Sequence, residues 1–171
     1  MNKSDTAKIE QLIEQLGNRD GLVRQQARID LTRIGEPAVE PLIEALENRR
    51  GYTHWEAAKA LSQIGSSQAS RALVEALEDD EFSVRWLAAE GLIAIGEDSL
   101  RPLLEALLTN SRSPLLREGA HHVLHDLVYQ QLILKQPLRE QVESVLSALN
   151  DIEPAVTVPP VAEQVLQRLP R

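Results

Sequence analysis

The sequence contains no cysteine and few aromatic residues, and both shortages restrict what the protein does. Without a thiol, disulfide frameworks, thiolate metal sites, redox pairs and cysteine nucleophiles are all excluded. Only five aromatic residues occur among 171, so the core has to be built from leucine, isoleucine, valine and alanine. These features predict one soluble, cytoplasmic protein of ordinary domain size.

Basic residues are also scarce, since 18 Lys and Arg stand against 26 Asp and Glu for a formal net charge of -8. Binding to nucleic acid usually requires clustered Lys and Arg, so this balance predicts no nucleic-acid partner. No apolar run approaches the roughly 20 residues that cross a bilayer, and the polar start shows no leader pattern. We therefore expect neither secretion nor a membrane partner.

Recognisable catalytic motifs are missing as well. The sequence shows no nucleophile elbow, phosphate-binding glycine run or dinucleotide fingerprint. His121 and His125 lie one helical turn apart, a spacing that presents two imidazoles to a divalent metal from one helix face. Two ligands do not complete a site, however, and a solvated or inter-repeat histidine cluster explains the same residues. The sequence predicts a protein that is not an enzyme and has no cofactor.

What the sequence does contain is an internal repeat. Segments 22–35, 52–65 and 83–96 share Ala, Leu, Ile and Gly at fixed offsets, and a fourth copy keeps the Ala and Leu. The shared alanines are Ala27, Ala57, Ala88 and Ala120, so the period is 30, 31 and 32 residues. A second series runs in phase ahead of the first, at residues 9–16, 39–46, 70–77 and 100–107. Each repeat therefore consists of two segments.

Apolar residues recur at three- and four-residue spacing in each segment, the pattern of one buried helical stripe. A single pair of such helices cannot bury its apolar face, so successive pairs have to stack into a solenoid. The predicted repeats are residues 6–35, 37–65, 68–96 and 99–130. Residues 131–171 are predicted to form capping helices, with a fifth first helix at 138–150 and a Pro-rich linker at 151–160.

The string DDEFSVRWLAAEGLIAIGEDSLRPLLEALL resembles the HEAT repeats of phycobiliprotein lyases in its Asp, Val-Arg pair, paired Ala, Ile-Gly and following Leu-x-x-Leu. The resemblance spans residues 6–130. It implies an all-α, right-handed α-solenoid of about four to five HEAT-like helix pairs, with the second helix of each pair on the concave side. Arginines at the start of the second helices, Arg24, Arg85 and Arg117, are expected to bind turn carbonyls and carboxylates.

Four of the five aromatic residues lie at the start of the second helix in repeats two and three, namely Tyr52, Trp55, Phe82 and Trp86. Trp55 and Trp86 each precede a core alanine by two positions, which places them about 160° from the buried stripe. Two interpretations stay open. The indoles either form an exposed ladder that anchors a partner, as Trp often does at interfaces, or pack between adjacent second helices.

Charge is distributed unevenly along the chain. Residues 75–105 contain nine acidic and two basic residues, a net of -7. This excess predicts that a basic partner docks at repeat three, although solvated loops explain it as well. Together with the aromatic residues, Glu90, Glu118 and His125 complete the predicted partner-binding set.

The function predicted from the sequence is a non-catalytic scaffold that binds a protein or peptide on its concave face. The resemblance to phycobiliprotein lyases implies one alternative, a subunit that handles a bilin or a phycobiliprotein. A second alternative is nucleic-acid repair, because Trp86 and Glu90, one turn apart, are similar to the aromatic and acidic residues of HEAT-like alkylpurine glycosylases. The acidic surroundings of Trp86 have the wrong sign for DNA.

Overall fold

The computed structural model describes residues 3–48, 51–130 and 134–169, and these form α-helices joined by short turns, with no strand. The helices are α1 (Lys3–Gln15), α2 (Gly21–Ile34), α3 (Val39–Glu47), α4 (Gly51–Ile64), α5 (Ser70–Ala76), α6 (Phe82–Ile95), α7 (Leu100–Thr109), α8 (Pro114–His125), α9 (Leu138–Leu149) and α10 (Pro154–Leu166). A π-helical turn, Asp126–Gln130, continues α8. The predicted all-helical fold is confirmed. Within the described residues, no helix has both the length and the apolar character needed to span a bilayer.

The helices form two packed layers. One layer consists of α1, α3, α5 and α7, in which each helix contacts the next. The other consists of α2, α4, α6 and α8, again in sequence order, and each of these helices also packs against its partner in the first layer. Each predicted repeat thus contains one helix pair, and the pairs stack as a solenoid.

The core lies between the two layers and is aliphatic, as the composition predicts. The repeated alanines and leucines are all 0% exposed: Ala27, Ala57, Ala88, Ala120, Leu31, Leu61, Leu92 and Leu124. Small alanines let neighbouring helices approach, and each leucine, one turn later, fills the space behind them. One continuous hydrophobic cluster therefore extends through all the repeats.

The C-terminal helix pair differs from the prediction of a fifth first helix at 138–150. In the structure α9 packs against α8 of the second layer, whereas α10 packs against α7 of the first layer. The order of the two layers is therefore reversed in this pair. An apolar stripe identifies the buried face of a helix but not the neighbour that covers it, so the two arrangements share one sequence pattern. Residues 131–133 and 170–171 of the predicted cap lie outside the described residues.

The predicted Pro-rich linker at 151–160 is wrong, because α10 begins at Pro154 and continues through Pro159. Pro154 stands in the first turn, where a missing N–H costs no helical hydrogen bond. Pro159 removes the usual donor to the carbonyl of Ala155, and the Ser111 hydroxyl donates to that carbonyl instead, at 3.0 Å. A donor from a distant part of the chain thus accommodates a proline that local rules exclude from a helix.

Candidate functional site

A cleft of about 220 Å³ opens between the first turns of α6 and α8. Its lining is mostly apolar and consists of Leu77, Phe82, Trp86, Ala89, Leu115 and Gly119. The polar residues of the lining are Arg85, Glu118 and His122. Pockets for small molecules usually measure about 300 to 1,000 Å³. The volume of this cleft lies below that range.

Gly119 lines the cleft where α8 packs closely against Leu77. The equivalent residue one repeat earlier is Leu87, whose side chain is buried. At residue 119 a Cβ atom would stand 2.8 Å from Cδ2 of Leu77, which is itself fully buried. The glycine therefore lets Leu77 pack directly against the backbone of α8 at the lining of the cleft.

Trp86 is the central side chain of the cleft and is 48% exposed. Its indole stacks on the His122 ring, with centroids 4.9 Å apart and an interplanar angle of 30°, and lies 6.5 Å from the ring of Phe82. His122 Nε2 lies 3.5 Å from Glu90 Oε1. The structure thus brings together four of the predicted binding residues: Phe82, Trp86, Glu90 and Glu118. His122 was not predicted, although it has the register position of Glu90, two residues after the core alanine.

Trp55 has the equivalent position in α4 but a different environment. Its side chain is partly buried and packs against the core, and Lys59 Nζ lies 5.5 Å from the centroid of its ring. Tyr52 is exposed, and the guanidinium of Arg24 covers its ring at 3.9 Å. Of the two interpretations of the indoles, Trp55 therefore follows the one in which the side chain packs between helices. Trp86 follows the one in which the side chain is exposed.

His121 and His125 form a separate group on α8, beside the capping helix α9. Their rings stack 6.0 Å apart, His125 contacts Tyr129 at 5.0 Å, and His121 Nε2 lies 3.3 Å from Asn150 Nδ2. Burial lowers the pKa of His121 below the ordinary 6.5, and the nearby charges of His125 and His122 lower it further. The hydrogen bond with Asn150 acts in the opposite direction and raises the pKa, but its effect is smaller. His121 is therefore neutral at physiological pH.

His121 and His125 have no further metal ligand within the described part of the chain. Among the described residues, no group of three or more His, Cys, Asp or Glu side chains is placed to hold a metal ion. His125 was predicted to bind a partner, but its ring contact with Tyr129 lies beside Arg139 of α9. This residue therefore belongs to the surroundings of the cap and not to the Trp86 cleft.

The arginines that begin the second helices bind backbone carbonyls of the preceding turns. The Nη1 atoms of Arg24, Arg85 and Arg117 donate to the carbonyls of Asn18, Asp79 and Ser111 at 2.8, 2.8 and 2.6 Å. Their predicted structural role is confirmed. His54 replaces the arginine in repeat two, is buried, and places Nε2 at 3.7 Å from Oδ1 of the buried Asp79. One carboxylate of the acidic region is therefore part of the packing between repeats.

Comparison with known proteins identifies the repeats. The family model of HEAT repeats matches residues 9–92. Two solved structures of engineered proteins from the Northeast Structural Genomics Consortium are similar to the chain. The first has 19% sequence identity and a TM-score of 0.46, and the match covers 96% of this chain and 78% of that chain. The second has 20% sequence identity and a TM-score of 0.42, and the match covers 96% of this chain and 48% of that chain. No curated protein matches the sequence.

The matched range covers the helix pairs in which the alanine and leucine register is clearest. The match is to HEAT repeats in general, so the resemblance to the phycobiliprotein lyase subclass stays a prediction. The helix pairs, the continuous core and the family match show that residues 9–92 are HEAT repeats, in a chain whose described residues are all-helical.

Proposed function

We propose that this protein is a non-catalytic interaction scaffold that binds a segment of another protein at the Trp86 cleft. The observation that carries the proposal is the exposure of Trp86 and Phe82 beside an open, mostly apolar space. Aromatic side chains are the usual energetic centres of protein interfaces, and stacked helical repeats commonly present such surfaces. A cleft of this size accommodates one anchoring side chain of the bound segment.

The charge around the cleft favours a basic partner. Residues 75–105, which supply α6 and the turns on either side of it, carry a net charge of -7. A surface of one sign raises the association rate of a partner of the opposite sign and repels partners of the same sign. We therefore expect the bound segment to contain Lys or Arg.

The polar groups of the cleft support binding over catalysis. Arg85 donates to the carbonyls of Asp79 and Asp80, and His122 stacks on Trp86, so both side chains have packing partners. The described cleft lining contains no Ser, Thr, Cys or Lys that would act as a nucleophile next to His122. A scaffold function agrees with these contacts.

Selection from a randomised peptide display library tests the proposal. Peptides selected on the wild-type protein are expected to lose about 30-fold in affinity on Trp86→Ala, the loss typical of removing an interface hot spot. The matched control is Leu22→Ala, which removes an apolar side chain that is 75% exposed on α2, outside the cleft. This control is expected to bind the selected peptides like the wild type.

Two results would contradict the proposed function. One is a selection that yields no specific peptide, and the other is a set of peptides that bind Trp86→Ala as tightly as the wild type. Circular dichroism of Trp86→Ala separates a local effect from unfolding, because the half-exposed indole is expected to leave the helical content unchanged when removed.

A further inference from the structure

Four of the five aromatic side chains have a cation of the same chain over the ring. The pairs are Arg24 with Tyr52 at 3.9 Å, Lys59 with Trp55 at 5.5 Å, Arg85 with Phe82 at 5.5 Å and Arg139 with Tyr129 at 5.7 Å. All lie within the roughly 6 Å at which the face of an aromatic ring attracts a cation. Trp86 is the exception, since no Lys or Arg of the described chain lies over its indole.

The two tryptophans show how this difference arises. Trp55 and Trp86 have the same register, and the residue one helical turn later is Lys59 in α4 but Glu90 in α6. Lys59 supplies the cation for Trp55. At Trp86 the same position carries a carboxylate, and Glu118 adds a second one at the cleft. Among the described residues, this indole thus has no Lys or Arg over its ring, because Arg85 of the cleft lining donates to the carbonyls of Asp79 and Asp80.

Glu118 provides the second part of the site. Its side chain is exposed, and among the described residues it makes no hydrogen bond or ion pair. A purely apolar occupant of the cleft would remove water from this carboxylate without replacing its hydrogen bonds, which costs free energy. An occupant that is apolar along its stem and cationic at its tip matches both the lining and the carboxylate.

We propose that the Trp86 cleft binds an arginine side chain of the partner, an inference that rests on the proposed function. The methylene groups of the arginine pack against Phe82 and Leu115, its guanidinium stacks on the indole of Trp86, and Glu118 accepts its N–H groups. Arginine is preferred to lysine because the guanidinium is planar, stacks on aromatic faces and donates two parallel hydrogen bonds to a carboxylate.

His122 affects how the site is measured. Its ring stacks on Trp86 and lies near Glu90, so a protonated imidazole would itself be a cation at this position. A second series of binding measurements therefore uses the His122→Gln variant, in which no imidazole stacks on the indole. The preference for the arginine peptide is expected to persist in that variant.

The test uses short blocked alanine peptides that differ only in a central arginine, citrulline, lysine or leucine. The full-length Trp55→Phe variant makes Trp86 the single indole, so its fluorescence reports directly on the cleft. We expect the arginine peptide to bind about three- to 30-fold more tightly than the neutral, nearly isosteric citrulline peptide. The lysine peptide is expected to be intermediate.

Two charge variants test where the arginine sits. Glu90→Lys reproduces the arrangement of Lys59 and Trp55 and is expected to abolish binding of the arginine peptide. Glu97→Lys makes the same change of charge at an exposed position in the turn that follows α6 and is expected to keep binding within about twofold. Glu118→Gln, which preserves shape, is expected to weaken binding about two- to fivefold.

Equal binding of the arginine and citrulline peptides would overturn the inference, and so would unchanged binding to Glu90→Lys. If instead the leucine peptide binds best and loses affinity on Trp86→Ala, the arginine site is wrong while the scaffold function stands. Circular dichroism of each variant identifies unfolding, and Glu118→Gln provides an independent test because that exposed side chain has no hydrogen bond or ion pair among the described residues to lose.

Discussion

The Ser111 hydroxyl donates a hydrogen bond to the carbonyl of Ala155, 44 residues later, at 3.0 Å. Ser111 lies in the turn between α7 and α8 and is 8% exposed, so water does not easily replace it. Ala155 lies in the first turn of α10, at the carbonyl that would normally accept from residue 159. This bond is one of the contacts that join the reversed terminal pair to the fourth repeat.

Ser111→Ala is expected to lower the free energy of unfolding by about 1 to 2 kcal/mol, because it leaves the Ala155 carbonyl without a donor. Pro159→Ala restores the helical N–H, so the cost of Ser111→Ala should be smaller in that background. Urea unfolding of the two single variants and the double variant measures this coupling. An equal cost of Ser111→Ala in both backgrounds would show that proline accommodation is not the role of this hydroxyl.

Glu56 is a buried carboxylate that joins the first two repeats. Its oxygens lie 2.9 Å from Arg28 Nε and 3.4 Å from Arg24 Nε. Glu56→Gln should cost about 1 to 3 kcal/mol in urea unfolding, less than a fully buried pair because both arginines are partly exposed. The control is Asp30→Asn, which breaks the exposed pair with Arg33 and should cost less than about 1 kcal/mol. Equal losses would contradict this distinction.

The two tryptophans are expected to differ in their contribution to stability. Trp86→Ala should lower the free energy of unfolding by less than about 1 kcal/mol, because the exposed indole makes few core contacts. Trp55→Ala should cost about 2 to 3 kcal/mol, because this indole packs against the core. Denaturant unfolding of the two variants checks the difference. A large loss from Trp86→Ala would mean that the indole is structural and not a free contact surface.

His121 makes stability depend on pH. Its pKa is lowered by burial and by His125 and His122, so the unfolded chain binds this proton more readily than the folded protein. The free energy of unfolding is therefore highest above about pH 6.5 and should fall as the pH drops through that value toward the lower folded pKa. Urea unfolding of wild type and His121→Gln between about pH 7.5 and pH 5.5 tests this. The variant should show a smaller decrease, and an identical decrease would contradict the assignment.

Much of the fold was predictable because each helix buries one face, so its apolar residues recur every three to four positions in the sequence. Ala88 and Leu92 identify the core side of α6, and the same register identifies it in the other second helices. The layer that covers α9, by contrast, depends on which neighbour the stripe meets. The packing of α9 against α8 also depends on the position of α7, so the sequence of residues 138–150 does not indicate it.

The candidate site was predictable in part. The register placed Trp86 and Glu118 on neighbouring helices, and both line the cleft. It gave Trp55 the same position, yet that indole packs against the core with Lys59 near its ring. His122 was missed because its contact with Trp86 depends on the spacing of α6 and α8. Register specifies the direction of a side chain, whereas exposure also depends on the neighbours.

The sequence by itself determined the paired helices, their order and their aliphatic core, because apolar residues recur at three- and four-residue spacing in each segment and the segments repeat along the chain. Only the tertiary structure decided that the last pair reverses its layers, that Ser111 accommodates Pro159, and that Trp86 and Gly119 line one cleft. The physical reason is that these features depend on distances between residues far apart in sequence, where one missing side chain or one additional donor changes the packing.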